Sequence, residues 1–382
     1  MTVGEFSLIC WNEAGEARSA RWRSESGHAP PKRVLIADDR TSADVAYRYA
    51  CEGGAMLWRG DFQNARQLLQ ALTRRAGAKP RKPALSGTLL ETFHLHRQAQ
   101  AQRARTLAML LLPLDADYRI HLRRAPDLRT ACEEAYGLAD AAGDASVVSL
   151  RELLGVVGAH EWRQKGVAVA ALDAHIHPHY GVFAPVRSEY VDLVATVPLT
   201  VPTLAFDIGT GTGVLAAVLA RRGITRIIAT DQDARALACA RENLARLGLT
   251  GRVEVQQADL FPAGRAPLVV CNPPWLPARP SSSLEAAIYD PESRMLYGFL
   301  GGLAAHLTPE GEGWLLLSDL AEHLGLRSRA ELLSAFDLAG LKVVGRHDIR
   351  PHHPRVSDAT DPLHAARAAE VTSLWRLAAC QV

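Results

Sequence analysis

The chain has six cysteines in 382 residues (Cys10, Cys51, Cys132, Cys239, Cys271, Cys380) and no C-x-x-C pair among them. Cysteines scattered in this way argue against a zinc site or a disulfide scaffold and fit a reducing cytoplasm. An excess of one charge is also missing, since 43 Lys and Arg face 41 Asp and Glu for a net charge of +2. The chain as a whole therefore points to no strongly charged partner, and its preference for Arg over Lys reads as genomic bias. Long hydrophobic runs are absent. Stretches such as Leu107–Leu112 and Val214–Ala220 are far too short to span a bilayer, so no membrane partner is expected. The first residues, MTVGEFSLICWNEAGEARS, lack the basic stretch and apolar core of a signal peptide, and a cytoplasmic location is expected.

What is present is an ordinary globular balance, 48% hydrophobic and 22% charged, with room for about two domains. The chain is organised around Ala205–Gly213, AFDIGTGTG. An apolar run enters, Asp207 stands where it stops, and Gly209, Gly211 and Gly213 alternate before a helix start at Val214. Glycine permits φ > 0 and lets a ligand lie against bare backbone, while the helix start adds unpaired N–H groups. The spacing is not the dinucleotide G-x-G-x-x-G, and Asp207 would repel a pyrophosphate but suit a ligand with a cationic group. A glycine turn that binds nothing remains the alternative for this stretch alone.

Before it, residues 1–145 alternate between strand and helix signals. Strands are expected over 33–39, 56–58, 106–114 and 118–122, with helices over 42–53, 62–75 and 88–105. The prolines and basic residues of 78–87 mark a linker or loop. No glycine turn follows Asp38 and Asp39, so this half cradles no obvious nucleotide and reads as an accessory α/β domain, plain or as a degenerate copy of the second half. Between Arg66 and Arg129, thirteen Lys and Arg face four acids. That excess is the footprint of a phosphate backbone, or else a solvated arginine-biased surface.

Residues 146–202 form an entry segment. A helix is expected over 147–164, then extended pieces over 166–172 and 176–183. His175, His177 and His179 alternate, but Pro178 breaks the strand and no carboxylate motif accompanies them, so a polar face is expected and no metal is assigned. Residues 180–185, including Phe183, read either as a flap over the ligand or as a plain hairpin before a helix at 190–197.

From 203 to 382 strands and helices alternate cleanly. Acids follow three strand ends, at Asp207, Asp231 and Asp259. Asp231 lies 22 residues after Gly209, where an acid accepts hydrogen bonds from ribose hydroxyls; Asp259 reads as part of the same edge or as a turn cap. Then come Asn272-Pro273-Pro274-Trp275. Two prolines after a buried strand end its ladder and aim the Asn272 oxygen and the Pro273 carbonyl at one spot, fit to hold a planar –NH2, with Trp275 as a stacking face.

These motifs together resemble class I AdoMet-dependent methyltransferases of the branch with the N-P-P-[YFW] motif. The resemblance covers nearly the whole second half. It implies a seven-stranded Rossmann-like α/β sheet with its last strand antiparallel, joined to a smaller N-terminal α/β domain. It implies S-adenosyl-L-methionine (AdoMet) as cofactor, held by Asp207, Gly209, Gly211, Gly213, Asp231, Asp259, Leu260 and Phe183, and an acceptor nitrogen held by Asn272, Pro273, Pro274 and Trp275. Two subfamilies compete. Gly181-Val182-Phe183 looks like the segment of ribosomal-RNA guanine-N2 methyltransferases, which also carry a degenerate N-terminal domain. Tyr289-Asp290-Pro291-Glu292 through Gly298 looks like that of release-factor glutamine methyltransferases. The expected function is methyl transfer to a planar nitrogen, first in ribosomal or other structured RNA, alternatively in a translation-factor glutamine. In a further alternative, the first half only recruits or dimerises. Residues His352, His353 and Arg355 are expected either at the substrate rim or in a solvated loop.

Overall fold

The computed structural model describes residues 7–77, 87–139, 143–200, 202–280, 284–352 and 358–380. Two units emerge, Met1–Leu85 with His94–Glu161, and Ser86–Phe93 with Trp162–Val382. The proline-rich residues 78–86 and the rim residues His353 and Arg355 lie outside the described residues.

The first unit opens with a hairpin that its sequence does not announce, β1 (Leu8–Glu13) and β2 (Glu16–Arg23), turning at Ala14 and Gly15, both with positive φ. Then follow β3 (Arg33–Ala37), α1 (Ala43–Cys51, capped by the Ser42 hydroxyl), β4 (Gly54–Trp58) and α2 (Phe62–Gly77). Next come α3 (Leu89–Leu107), β5 (Leu110–Leu114), α4 (Arg129–Tyr136), β6 (Ser146–Ser149) and α5 (Leu150–Lys165). The sheet order is β1-β2-β6-β5-β4-β3, with β3, β4 and β5 parallel and β6 antiparallel to β5. Two expectations are corrected. Residues 118–122 form no strand, because Asp115 N–H bonds the Arg119 carbonyl and Tyr118 takes φ +64, folding the segment back on itself. The helix expected from Val147 starts only at Leu150, because the buried Ser146–Ser149 is drawn into the sheet between β2 and β5.

The second unit begins with a small hairpin, β7 (Val167–Val169) and β8 (Ala174–Ile176), and α6 (Glu189–Thr196). Alternation follows through β9 (Leu204–Ile208), α7 (Val214–Arg221), β10 (Arg226–Asp231), α8 (Ala234–Arg246), β11 (Val253–Gln257) and β12 (Ala266–Cys271). It closes with α9 (Arg294–His306), β13 (Leu307–Ser318), α10 (Leu320–His323), α11 (Arg329–Leu338), β14 (Leu341–Ile349), α12 (His364–Ala369) and β15 (Thr372–Ala379). The order β11-β10-β9-β12-β13-β15-β14 makes a seven-stranded sheet in which β15 alone runs antiparallel to both neighbours.

Side chains along a strand alternate between faces, and here they feed two cores. Ala205, Leu268, Val270, Trp314 and Leu316 pack with α6, α7 and α8. Phe206, Ile208, Val269, Cys271, Leu315 and Leu317 pack with α9 and α11. Helix α7 is apolar all round, and every residue from Val214 to Ala220 is buried. The glycine turn is thus mounted between a central strand and a helix with no solvent face. No helix among the described residues is long and apolar enough to cross a membrane.

Candidate active site

The end of β9 is the centre of the site. Ile208 pairs with Thr230 of β10 on one side and with Cys271 of β12 on the other. The next residue of each strand end, Gly209, Asp231 and Asn272, therefore stands in one row along the carboxyl edge. Strands lie about 4.8 Å apart, so Asp231 and Asn272 flank Gly209 with their backbones about 10 Å from each other. The chain leaves β9 for β10 in one direction and β12 lies in the other. Such a switch point opens a crevice at the carboxyl ends of the strands.

The three glycines all take positive φ, +71°, +54° and +81°, but they face different surroundings. A Cβ on Gly209 would come 2.5 Å from the Met295 methyl, and one on Gly213 would come 3.3 Å from Ala240 of α8. A Cβ on Gly211 would meet nothing within 4 Å. Gly213 thus serves helix packing, Gly209 admits Met295, and Gly211 presents bare backbone to open space.

Asp207 is buried and its carboxylate is turned inward. Oδ2 accepts from the Thr210 hydroxyl at 2.6 Å and from Ala216 N–H at 3.1 Å. The acid braces the turn and meets the positive end of α7. Burial pushes its pKa up to about 6 against the opposing pull of those two bonds. Asp231 takes the Gly211 N–H on Oδ2 and the Asp233 N–H on Oδ1, each at 3.0 Å. Burial raises this carboxyl too, partly offset by its backbone donors. Each Asp231 oxygen retains accepting capacity for a ligand hydroxyl.

Asp259 is exposed just beyond β11, and Leu260 takes φ +72. The Leu260 carbonyl accepts from the Thr230 hydroxyl at 2.5 Å, and Ala258 N–H donates to the Asp231 carbonyl, so the two strand ends are tied together. Phe261 stacks on His306 at 4.2 Å between ring centroids. The glycine face of α9 makes room for this loop. A Cβ on Gly298 would lie 2.8 Å from Leu260, and one on Gly302 would lie 2.4 Å from the Phe261 ring.

Phe183 is half-buried in the irregular segment 177–188. Its neighbour Val182 packs on Ala236 and Cys239 of α8. The hydrogen bonds that gather Asp207, Asp231 and Leu260 around the turn do not reach Phe183. The three histidines do not converge. His175 is exposed, His177 Nδ1 donates to the Arg163 carbonyl, and His179 bonds Glu242. No cluster of metal-ligating side chains forms among the described residues.

On the other side of Gly209, Asn272 Oδ1 accepts from the indole N–H of Trp275 at 2.9 Å. An indole nitrogen only donates, so it is the amide oxygen that faces it, with one of its two lone pairs left over. Pro273 is buried. Trp275 is half-buried against both cores, and the Arg187 guanidinium sits 5.6 Å from its ring centroid. The ring expected to offer a stacking face thus carries an arginine. Asp290 N–H bonds the Leu276 carbonyl, while its Oδ2 accepts from Met295 and Leu296 N–H and so caps α9. That explains the Tyr289–Gly298 segment locally: it binds the Asn272 loop, starts α9 and brings Met295 to Gly209.

Asn243 was not foreseen. Its amide bonds the His177 backbone in both directions and donates to the Thr212 carbonyl at 3.1 Å, tying the glycine turn to α8. A buried Asn inside a helix was the available signal.

Residues 174–317 match the family model described as methyltransferase small domain. The match runs from β8 to β13 of the second unit and takes in the glycine turn, Asp231, Asp259 and Asn272–Trp275. Among curated relatives, the chain is 36% identical over 152 residues to the release factor glutamine methyltransferase of Cereibacter sphaeroides, covering 36% of this chain and 53% of that protein. It is 46% identical over 69 residues to the ribosomal protein L11 methyltransferase of Pelotomaculum thermopropionicum, covering 18% and 22%. It is 36% identical over 95 residues to the tRNA1(Val) (adenine(37)-N6)-methyltransferase of Vibrio parahaemolyticus, covering 24% and 40%. The chain spans about half or less of the length of these relatives.

Proposed function

We propose that this protein is a cytoplasmic AdoMet-dependent N-methyltransferase acting on a planar amino or amide nitrogen. The observation that carries the reading is the row Asp231–Gly209–Asn272 at the switch point, with the open side of Gly211 beside it. The residues present fit the cofactor: bare backbone at Gly211, a carboxylate with spare acceptors at Asp231, and the Leu260 turn at the neighbouring strand end. AdoMet supplies an electrophilic methyl group on a sulfonium. Gly211 and Asp231 would hold the cofactor's body, and Asp259 and Leu260 would face its base. Asp207 acts by shaping the turn, and Phe183 covers it from the α8 side.

Asn272 Oδ1 and the Pro273 carbonyl each accept one N–H of the acceptor, which fixes the direction of its lone pair. The lone pair so directed would face the methyl group that AdoMet would supply, and the proton shed by the nitrogen would pass to water. Two carbonyl dipoles stabilise the positive charge that develops on nitrogen, and positioning supplies most of the remaining rate. Asn272→Ala is expected to lower turnover about 100-fold or more with AdoMet affinity nearly intact. Wild-type kcat in that variant would refute the assignment.

We place structured RNA first as acceptor. Of the thirteen basic residues between 66 and 129, Arg75, Arg119, Arg123, Arg124 and Arg129 pair with acids, and Lys79, Arg81 and Lys82 lie outside the described residues. Arg66 and Arg74 sit on α2 and Arg103 and Arg105 on α3, which also carries Arg97, and Arg103 reaches the Thr73 carbonyl, so that these helices adjoin. The first unit is proposed as the accessory domain that engages the acceptor. Its parallel β3-β4-β5 run without a glycine turn supports descent from a methyltransferase-like copy. The second reading, a translation-factor glutamine, is favoured by the Tyr289–Gly298 segment and its place beside Asn272. Tritiated AdoMet incubated with RNA and protein fractions of a deletion-strain lysate separates the two. Label that resists protease but not ribonuclease supports RNA, and the converse supports protein.

A further inference from the structure

We infer that Trp275 is a positioning residue: its indole N–H fixes the Asn272 carboxamide in the orientation that receives the acceptor, and Arg187 with Glu370 holds the indole. The inference rests on the reading of Asn272 as the acceptor-binding group. The terminal torsion of an Asn side chain is soft and roughly two-fold. A half-turn would put the amide –NH2 where the oxygen should be and repel an acceptor –NH2. A fixed donor on one lone pair of Oδ1 selects a single orientation and leaves the other lone pair for the substrate. A phenyl ring at this position would have no donor to offer.

The indole is itself held. Arg187 lies over its ring and donates through Nη2 to Glu370 Oε1 at 3.1 Å. The same oxygen accepts from the Ser318 hydroxyl at 2.7 Å, and Ser318 Oγ accepts Leu320 N–H at 3.0 Å. The Glu370 side chain is 1% exposed, so its charge depends on the arginine beside it. Arg187 Nε is buried with no hydrogen-bond partner. The guanidinium is therefore placed by Glu370 and by the ring face, at the expense of one of its own bonds. Ser318 closes β13 and Glu370 precedes β15, so the arm runs from the core of the sheet to the amide at the end of β12.

Two measurements on the full chain test this. In the first, the ¹⁵N-indole resonance of Trp275, assigned by its loss in Trp275→Phe, is followed in Asn272→Ala. An upfield move is expected, and an unmoved resonance overturns the inference. In the second, Trp275 is replaced by β-(3-benzothienyl)alanine, which keeps the bicycle and removes the N–H. On whichever RNA or protein fraction the wild type labels, kcat is expected to fall about 10-fold or more, with AdoMet Kd within two-fold and melting temperature unchanged. Arg187→Lys, which keeps the charge but loses the plane, should share part of that loss. Wild-type kcat in the benzothienyl variant overturns the inference. If the wild type labels no fraction, the methyltransferase reading fails, and the indole resonance alone decides whether Trp275 fixes Asn272.

Discussion

Gly211→Ala separates a ligand-facing glycine from a packing glycine within one turn. Gly211 and Gly213 both take positive φ, so either alanine pays a left-handed strain of roughly 1–2 kcal/mol. Their surroundings then divide them. At 213 the added methyl meets Ala240 at 3.3 Å, and crowding of a packed helix pair adds about 1–3 kcal/mol. At 211 the methyl meets no protein atom within 4 Å. For a unit of this size each kcal/mol lowers the melting temperature by about 2–4 °C, so Gly211→Ala should melt slightly low and Gly213→Ala clearly lower. Cofactor affinity should rank the other way. With AdoMet at 100 times the wild-type Kd, the wild type gains about 2.7 kcal/mol; a variant weakened about 30-fold gains only about 0.9 kcal/mol at the same concentration. Thermal unfolding with and without AdoMet, backed by calorimetric titration, reads both quantities. If Gly211→Ala keeps wild-type affinity, the cofactor does not lie where the open side of this turn places it.

Other outcomes follow from the same geometry. The folded pKa of Asp207, about 6, stands above the ordinary carboxylate value, so its charge costs the fold about 3 kcal/mol above pH 6 and nothing below about pH 4. Asp207→Asn should therefore flatten the pH dependence of melting across that window, and parallel curves for the two proteins would contradict it. Gly302→Ala should push Phe261 off His306 and weaken AdoMet several-fold through the Leu260 turn, which titration of the variant will show. RNA binding by the full chain should weaken steeply with salt, by about 10-fold or more between 50 and 200 mM, if the arginines of α2 and α3 contact phosphates.

The parts of this site that were readable in advance are those whose neighbours in space are neighbours in sequence. A strand running into a glycine turn and a helix is local, as are an acid at a strand end and two prolines that stop a ladder. The seven-stranded sheet with its last strand antiparallel was implied by the family resemblance that these local motifs carry. The missing pieces are contacts between distant segments. Arg187 and Glu370 are 183 residues apart, and neither looks unusual in its own surroundings. The Asn272–Trp275 bond spans three residues, yet it depends on which way an indole edge points, which no pattern of residue types states. In the first unit, the hairpin at Leu8–Arg23 has an apolar face of only Ile9, Trp11, Ala20 and Trp22, too short a stripe among polar residues to announce it. Ser146–Ser149 reads as the start of a helix because its strand character comes from the partners on either side.

The burial of α7 from Val214 to Ala220 divides the domain into a part that can change and a part that cannot. Any substitution between Val214 and Ala220 disturbs the core before it touches a ligand, so the methyl-donor side is locked to the stability of the fold. On the proposed reading, variation in what is methylated is left to the irregular residues 177–188 and 277–280, most of which are half-buried or exposed and can be exchanged without reopening the sheet. A change of acceptor in a descendant of this protein would therefore be written there, with AFDIGTGTG left as it is.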